Sequence, residues 1–250
     1  MSRSAKLVAA VLLVGVAVAA TLLWRENGSS APARSFQFTY ITKVPVLPDG
    51  GQKLRLWIPV PESDAYQDIS ALTIESPVGY ELHRDPEYHN LYAYLEVDPK
   101  KQAAPFEVKL DFAVTRREHK VRLANGARTA HASDVTPAEL ERSLRPDRLV
   151  PTDGLIGQLA AQETRGLTDP QAKARAIYNY VVSTMKYDKT GEGWGRGDAI
   201  YACNIRKGNC TDFHALFIGM MRASGIPARF EIGFPLPPGK SSGEIPGYHC

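Results

Sequence analysis

From residue 35 to 121 apolar and polar positions alternate along the chain. In SFQFTYITKV, Phe36, Phe38, Tyr40 and Thr42 share one face. In KLRLWIPV, Leu54, Leu56 and Ile58 share a face opposite Trp57 and the charges. NLYAYLEVD and FEVKLDFAV repeat the same period, and the turn-rich stretches LPDGG and VDPKK separate the runs. A period of two is that of a half-buried strand, and several short strands closely spaced predict a β-sandwich-like module.

The period changes further on. Residues 122–153 are basic, polar and turn-rich, as in RPDRLVPTDG, and read as a linker. From residue 154 the pattern is helical. GLIGQLAAQETR places apolar residues at 155, 156, 159 and 160. Thr168-Asp169-Pro170 is a start signal for a helix carrying Ala174, Ile177, Tyr178, Val181, Val182 and Met185. KYDKTGEGWGRGD is then a glycine-rich loop. Phe213, Leu216, Phe217, Met220 and Met221 form one helical stripe. Asn209 suits the N-cap, with Asp212 three residues on as in a capping box. Gly225 suits a left-handed C-terminal residue, and Ile226-Pro227 bars continuation. ARFEIGF reads as the next strand, and GYHC enters another. The expected fold class is α+β, a β module (35–121) followed by an α+β core (154–250).

The first 34 residues stand apart from both. Arg3 and Lys6 precede an uncharged run, LVAAVLLVGVAVAATLLW, at residues 7–24. At 1.5 Å per residue a helix of that length approaches the roughly 30 Å of a hydrocarbon core. Ala17-Val18-Ala19 offers a signal-peptide cleavage site, but the apolar run continues past it, which favours an uncleaved signal anchor. Either reading exports the rest of the chain to a periplasmic or other extracytoplasmic face, with ENGSSAPAR as a tether. The net charge of +3, from 30 basic and 27 acidic residues, does not favour nucleic acid, and no basic run interleaved with aromatics could track phosphates. PPGKSSG is similar to the end of a phosphate loop, but Gly233 to Gly239 has five intervening residues instead of four, and no helix follows it.

The three cysteines, Cys203, Cys210 and Cys250, are too few for a disulfide scaffold. Cys210 falls at the first position of the last predicted helix. There, unpaired backbone N–H groups and the positive end of the helix dipole favour thiolate. The same groups can stabilise an oxyanion, and a nearby histidine can return a proton to a leaving group. His249 is the candidate histidine, since strand and loop can return the chain beside the helix. His214 lies one turn after Cys210 and is the substitute base. Asp212, close to the thiol, reads as structural, its carboxylate turned to backbone N–H groups or to Arg206 or Arg229. Trp194 and Tyr187 suit either a cleft or the core. His83, His89 and His119 read as surface histidines.

GNCTDFHALFIGMMRASGIPARFEIGF followed by a histidine resembles the transglutaminase-like core of the papain-like cysteine enzymes. Gly208, Cys210, Asp212 and Gly225 to Arg229 match the motif, and WIPVP at residues 57–61 is similar to the β module preceding this core in exported bacterial members. The resemblance implies Cys210 as nucleophile, His249 as general acid/base, and thioester chemistry on the peptide or carboxamide bonds of a protein or peptide substrate; the export signal and the lack of an evident calcium site lean toward hydrolysis over crosslinking. It implies no cofactor. It also implies an Asp or Asn orienting the histidine beyond residue 250, in a record truncated at its C-terminus. Two rival readings remain open. One is a non-catalytic module that binds a cell-envelope polymer. The other is a zinc site drawing on Cys203, Cys210, His214, His249 and Cys250, against which the spacing of Cys203 and Cys210 argues.

Overall fold

The computed structural model describes residues 32–48, 51–102, 104–119 and 135–250. The apolar run at 7–24, with its leader or anchor reading, lies outside them. Among the described residues no helix is long and apolar enough to cross a membrane. The chain divides into two compact units, Met1–Thr129 and Ala130–Cys250.

The first unit holds six strands: β1 (Ala33–Val44), β2 (Leu54–Pro59), β3 (Gln67–Glu75), β4 (Glu81–Arg84), β5 (Leu91–Val97) and β6 (Phe106–Arg117). They form two three-stranded antiparallel sheets, ordered β1-β6-β3 and β2-β5-β4. Alternation sets the faces. Val108 and Leu110 of β6 and Ala93, Leu95 and Val97 of β5 are buried, and with Ile58 of β2 and Val44 of β1 they make one apolar cluster. The opposite face of β2 leaves Trp57 exposed against Tyr94, its cross-strand neighbour. β3 carries no clean alternation in the sequence because its register slips between Ser70 and Thr73, where Ala71 takes a left-handed φ of 50°. One inserted residue changes the face of everything after it. His83 bonds Glu81 across 2.9 Å and His119 stacks on Tyr66.

The second unit holds α1 (Pro137–Arg142), α2 (Gly154–Glu163), α3 (Pro170–Thr184), β7 (Lys186–Tyr187), α4 (Ala199–Ile205), β8 (Lys207–Gly208) and α5 (Cys210–Ala223). α5 is the central helix. Its Ala215, Leu216, Met220 and Met221 pack with Ile156 and Ala160 of α2, Ile177 and Val181 of α3, and Ala199 and Ala202 of α4. On α3 the buried stripe is narrower than the sequence suggests, for Tyr178 and Val182 are about half exposed. They lie a third of a turn from the Ile177–Val181 line, away from α5.

Both ends of α5 are capped as the sequence predicts. Asn209 accepts from Thr211 N, and the Asp212 side chain closes the capping box. At the other end Gly225, with φ 77°, donates to Arg222 O while Ile226 N donates to Met221 O. These two bonds are a Schellman closure, and they satisfy carbonyls the helix would otherwise orphan. Two expectations are corrected. Neither ARFEIGF nor GYHC forms a strand; Gly233 and His249 pair in an isolated antiparallel bridge. A strand needs a continuous neighbour, and besides this bridge the 227–233 segment makes the bond from Ala228 N to Ser143 O.

A charged clamp fixes the C-terminal end of α5. Arg222, with a side chain 1% exposed, donates to Asp147 Oδ2 (2.7 Å), Arg145 O (2.8 Å) and Ala228 O (2.8 Å). Asp147 also pairs with the buried Arg142 of α1. One carboxylate thus faces two guanidinium groups, and removing it takes the charged partner from both. Replacing Asp147 by Ala is expected to cost roughly 2–4 kcal/mol, measured as a shift of the urea unfolding midpoint at unchanged slope. Asp147 is about a third exposed, which keeps the loss below that of a fully buried pair.

Candidate active site

The α5 N-terminus is built around a carboxylate. Asp212 is fully buried. Its Oδ2 accepts from Gly195 N (2.6 Å) and Asn209 N (3.0 Å), and its Oδ1 from Gly197 N (3.3 Å). A carboxylate is an acceptor-only group and needs such donors when removed from water. Three backbone N–H groups, one from the helix cap and two from the 191–197 loop, supply them. The turn toward backbone N–H groups is therefore found, while Arg229 pairs instead with Glu231.

That carboxylate explains the glycines around it. A Cβ on Gly208 would lie 2.2 Å from Asp212 Oδ2, so the position has no room for a side chain. Gly195 takes a left-handed φ of 80° and runs against Asn209, where an added Cβ would stand 3.2 Å from Nδ2. A Cβ on Gly197 would stand 3.0 Å from Thr211 Cγ2. The loop thus walls the residues on either side of Cys210. Its ends are gathered by the parallel pairing of β7 with β8, where Tyr187 meets Gly208. α4, which follows the loop, was not evident from the sequence. It is only seven residues long, and its signal is the Asp198 N-cap, which accepts from Ile200 N and Tyr201 N.

Cys210 occupies the first position of α5 and is 7% exposed. Of the first N–H groups of this helix, Thr211 N bonds Asn209 Oδ1, and Asp212 N and Phe213 N bond Asn209 O. The Cys210 N–H has no acceptor among the described residues. A donor therefore stands free beside the thiol.

The chain returns to this place at its last residues. His249 N and O exchange bonds of 2.8 and 2.9 Å with Gly233. His249 is exposed, and its charge reaches His214 on the next turn of α5. The imidazole of His214 is half buried and set edge-on to Phe230. Burial first, then the neighbouring His249, lowers the His214 pKa below the usual histidine value. Cys250 follows, partly buried. Burial first, then hydrogen bonding to Cys210 and its charge, pushes the Cys250 thiol up to about 12. Cys210 and His249 do not hydrogen-bond each other, but the 249–250 segment lies against the start of α5.

The other candidates lie elsewhere. Cys203 sits on α4, half buried, its pKa raised by burial. Trp194 is half buried and donates to Gly191 O (3.1 Å), while Tyr187 is exposed beside Phe213. Neither is a core residue. Among the described residues no group of three or more His, Cys, Asp or Glu side chains is placed to hold a metal ion. An open hollow of about 360 Å³ lined by Lys53, Val78, Glu96 and Asp98 belongs to the first unit, and none of the candidate site residues lines it.

With this geometry the relatives take on meaning. The sequence model of the transglutaminase-like superfamily matches residues 157–250, so this part of the chain is similar to a transglutaminase-like domain. An uncharacterized protein of Haemophilus influenzae is 27% identical over 210 residues, 82% of this chain and 56% of the relative. The chain thus spans little more than half of that relative's length. Among solved structures, one described as a candidate cysteine protease of Cytophaga hutchinsonii superposes with a TM-score of 0.62 at 19% identity, over 79% of this chain and 66% of the other. That likeness shows a mixed α/β fold. The periplasmic domain of TgpA from Pseudomonas aeruginosa covers 84% of this chain and 61% of its own at 17% identity, with a TM-score of 0.41, too remote to argue from.

Asp212 makes a sharp prediction. Asn at this position keeps the shape but turns an amide NH₂ toward backbone donors. The loss of charge-assisted bonds is expected to cost about 2–3 kcal/mol in urea unfolding. It is also expected to free the loop, so that trypsin cleaves after Arg196 faster than in the parent. An unchanged midpoint together with unchanged cleavage contradicts the role of Asp212 as the anchor of the loop.

Proposed function

We propose that the domain at 154–250 performs thiol-dependent acyl transfer on peptide or carboxamide bonds, and that hydrolysis is its main outcome. The observation that carries this reading is the start of α5: a cysteine at the first helical position, beside a free N–H, with the His249 segment alongside. The match of residues 157–250 to the transglutaminase-like superfamily model supports it.

In this mechanism the Cys210 thiolate adds to the substrate carbonyl carbon. The oxygen that becomes negative accepts from the Cys210 N–H, at the positive end of α5. Collapse breaks the C–N bond, and His249 gives its proton to the departing amine. A thioester on Cys210 remains. His249, now neutral, takes a proton from water as the oxygen attacks the thioester, and the Cys210 thiolate leaves. An amine in place of water gives a crosslink by the same steps. His214 is the weaker candidate base, because its ring is half buried against Phe230 while that of His249 is exposed. The β module at 35–121 is joined to this domain by the 122–153 segment. The apolar run at 7–24 supports an exported chain held at the outer face of a membrane, acting on protein or peptide there.

The test combines substitution with amide hydrolysis, followed as release of amine with and without an added acceptor amine. Cys210→Ser is expected to abolish release, and His249→Ala to lower kcat/KM by about 10²–10⁴. His214→Gln is expected to change it by less than about tenfold. Iodoacetamide at pH 6 is expected to label Cys210 faster than a free peptide thiol, with the site assigned by peptide mapping. Labelling of Cys210 no faster than the peptide, with no amine released, would sink the reading in favour of a binding module.

A further inference from the structure

We propose that the outer face of the β2-β5-β4 sheet is a carbohydrate-binding platform that takes an uncharged pyranose chain across the rings of Trp57, Tyr94, Tyr92 and His83. This goes beyond the thiol chemistry and is independent of it. The register builds the platform. Alternation sends Ile58, Leu95 and Val97 into the apolar cluster of the first unit and the residues between them outward. Trp57 stands opposite Tyr94, and Tyr92 stands opposite both Pro59 and His83. The ring centroids of Trp57 and Tyr94 are 5.5 Å apart, those of His83 and Tyr92 5.9 Å, and those of His83 and Tyr94 6.2 Å. The four rings form one contiguous field over three strands. Cross-strand ring pairs stabilise a sheet, yet Trp57 stays 58% exposed and the His83 side chain 44%. The fold leaves ring surface in water.

The charges around the rings select the occupant. Glu96, two residues along β5 from Tyr94 and on the same face, pairs with Lys53 (2.6 Å) and Arg55 (3.5 Å) and accepts from the Tyr94 hydroxyl (3.4 Å). Glu81, opposite Tyr94, bonds His83 (2.9 Å). Lys53 and Arg55 already face a carboxylate, so a polyanion such as a nucleic acid would have to displace Glu96 from both. A lipid surface or an apolar protein face would take these charged groups out of water. An uncharged sugar chain does neither. Where the hydroxyls of a pyranose are equatorial, its flat face presents C–H groups that pack on aromatic rings. Its rim presents hydroxyls that bond carboxylates and cations. The field also continues beyond the rings. Lys53 and Glu96 line the open hollow of about 360 Å³, with Asp98, Lys101 and Gln102 as further polar partners. Rings followed by a polar hollow fit a chain of several sugars better than a single one.

The experiment is isothermal titration calorimetry of the purified full chain with cellotetraose and with chitotetraose. Heparin serves as the polyanion, and a leucine-rich peptide as the apolar partner. At least one tetrasaccharide is expected to bind. Trp57→Ala and Tyr94→Ala are each expected to weaken it by about tenfold or more, with urea midpoints close to the parent's. Trp57→Phe, which keeps a ring, is expected to lose less. Tryptophan emission is expected to shift to saturation in the parent and not in Trp57→Phe, which separates contact at this ring from a loss of folding. Failure of both tetrasaccharides to bind, binding undiminished in both alanine variants, or tighter binding of heparin or of the peptide overturns the inference. Amine release from a small soluble amide is expected to be unchanged in Trp57→Ala. Sugar binding without amine release leaves the platform standing and removes the proposed function, and amine release without sugar binding does the reverse.

Discussion

A carboxylate shut off from water must be met by donors, and in this chain the Asp212 carboxylate is met by backbone alone. The two oxygens draw the first residue of a helix cap and two residues of a glycine-rich loop to one point. Each of those groups has its own reasons to be elsewhere. A glycine loop has high conformational entropy to lose, and a helix terminus frays. Bonds to a buried charge are among the stronger ones a protein makes, and they outweigh those costs. The thiol of Cys210 inherits a fixed setting from an arrangement in which it takes no part. Asp212 bears a negative charge near a thiol that must become negative, and its three N–H donors spread that charge away from the sulfur.

What was legible in the sequence follows from how local each cause is. The alternation at Phe36 to Thr42, the stripe from Phe213 to Met221 and both caps of α5 are set by neighbours in sequence, and all are found. β3 was hidden by the displaced residue at Ala71. α4 was hidden by its length and by the turn-rich loop before it. The segment ARFEIGF has the composition of a strand, but strand formation depends on a partner supplied by another part of the chain.

The candidate site was legible in the same uneven way. Cys210 and His249 stood out because a helix start and a resemblance both marked them. The function of Asp212 could be narrowed to a structural one, but the loop it anchors is seventeen residues away and no pattern links them. Cys250 was visible only as a third cysteine or a zinc donor.

The two ends of α5 are secured very differently from the segment that brings the histidine. The helix is tied at its start by the Asp212 bonds and at its close by the Arg222–Asp147 clamp, with a tight apolar face between them. Residues 227 to 250 are held by other means: Ala228 N donates to Ser143 O, Arg222 donates to Ala228 O, and Gly233 bridges His249. For the proposed chemistry the sulfur is thereby the fixed reference, and where the imidazole stands is decided by the chain between those attachments.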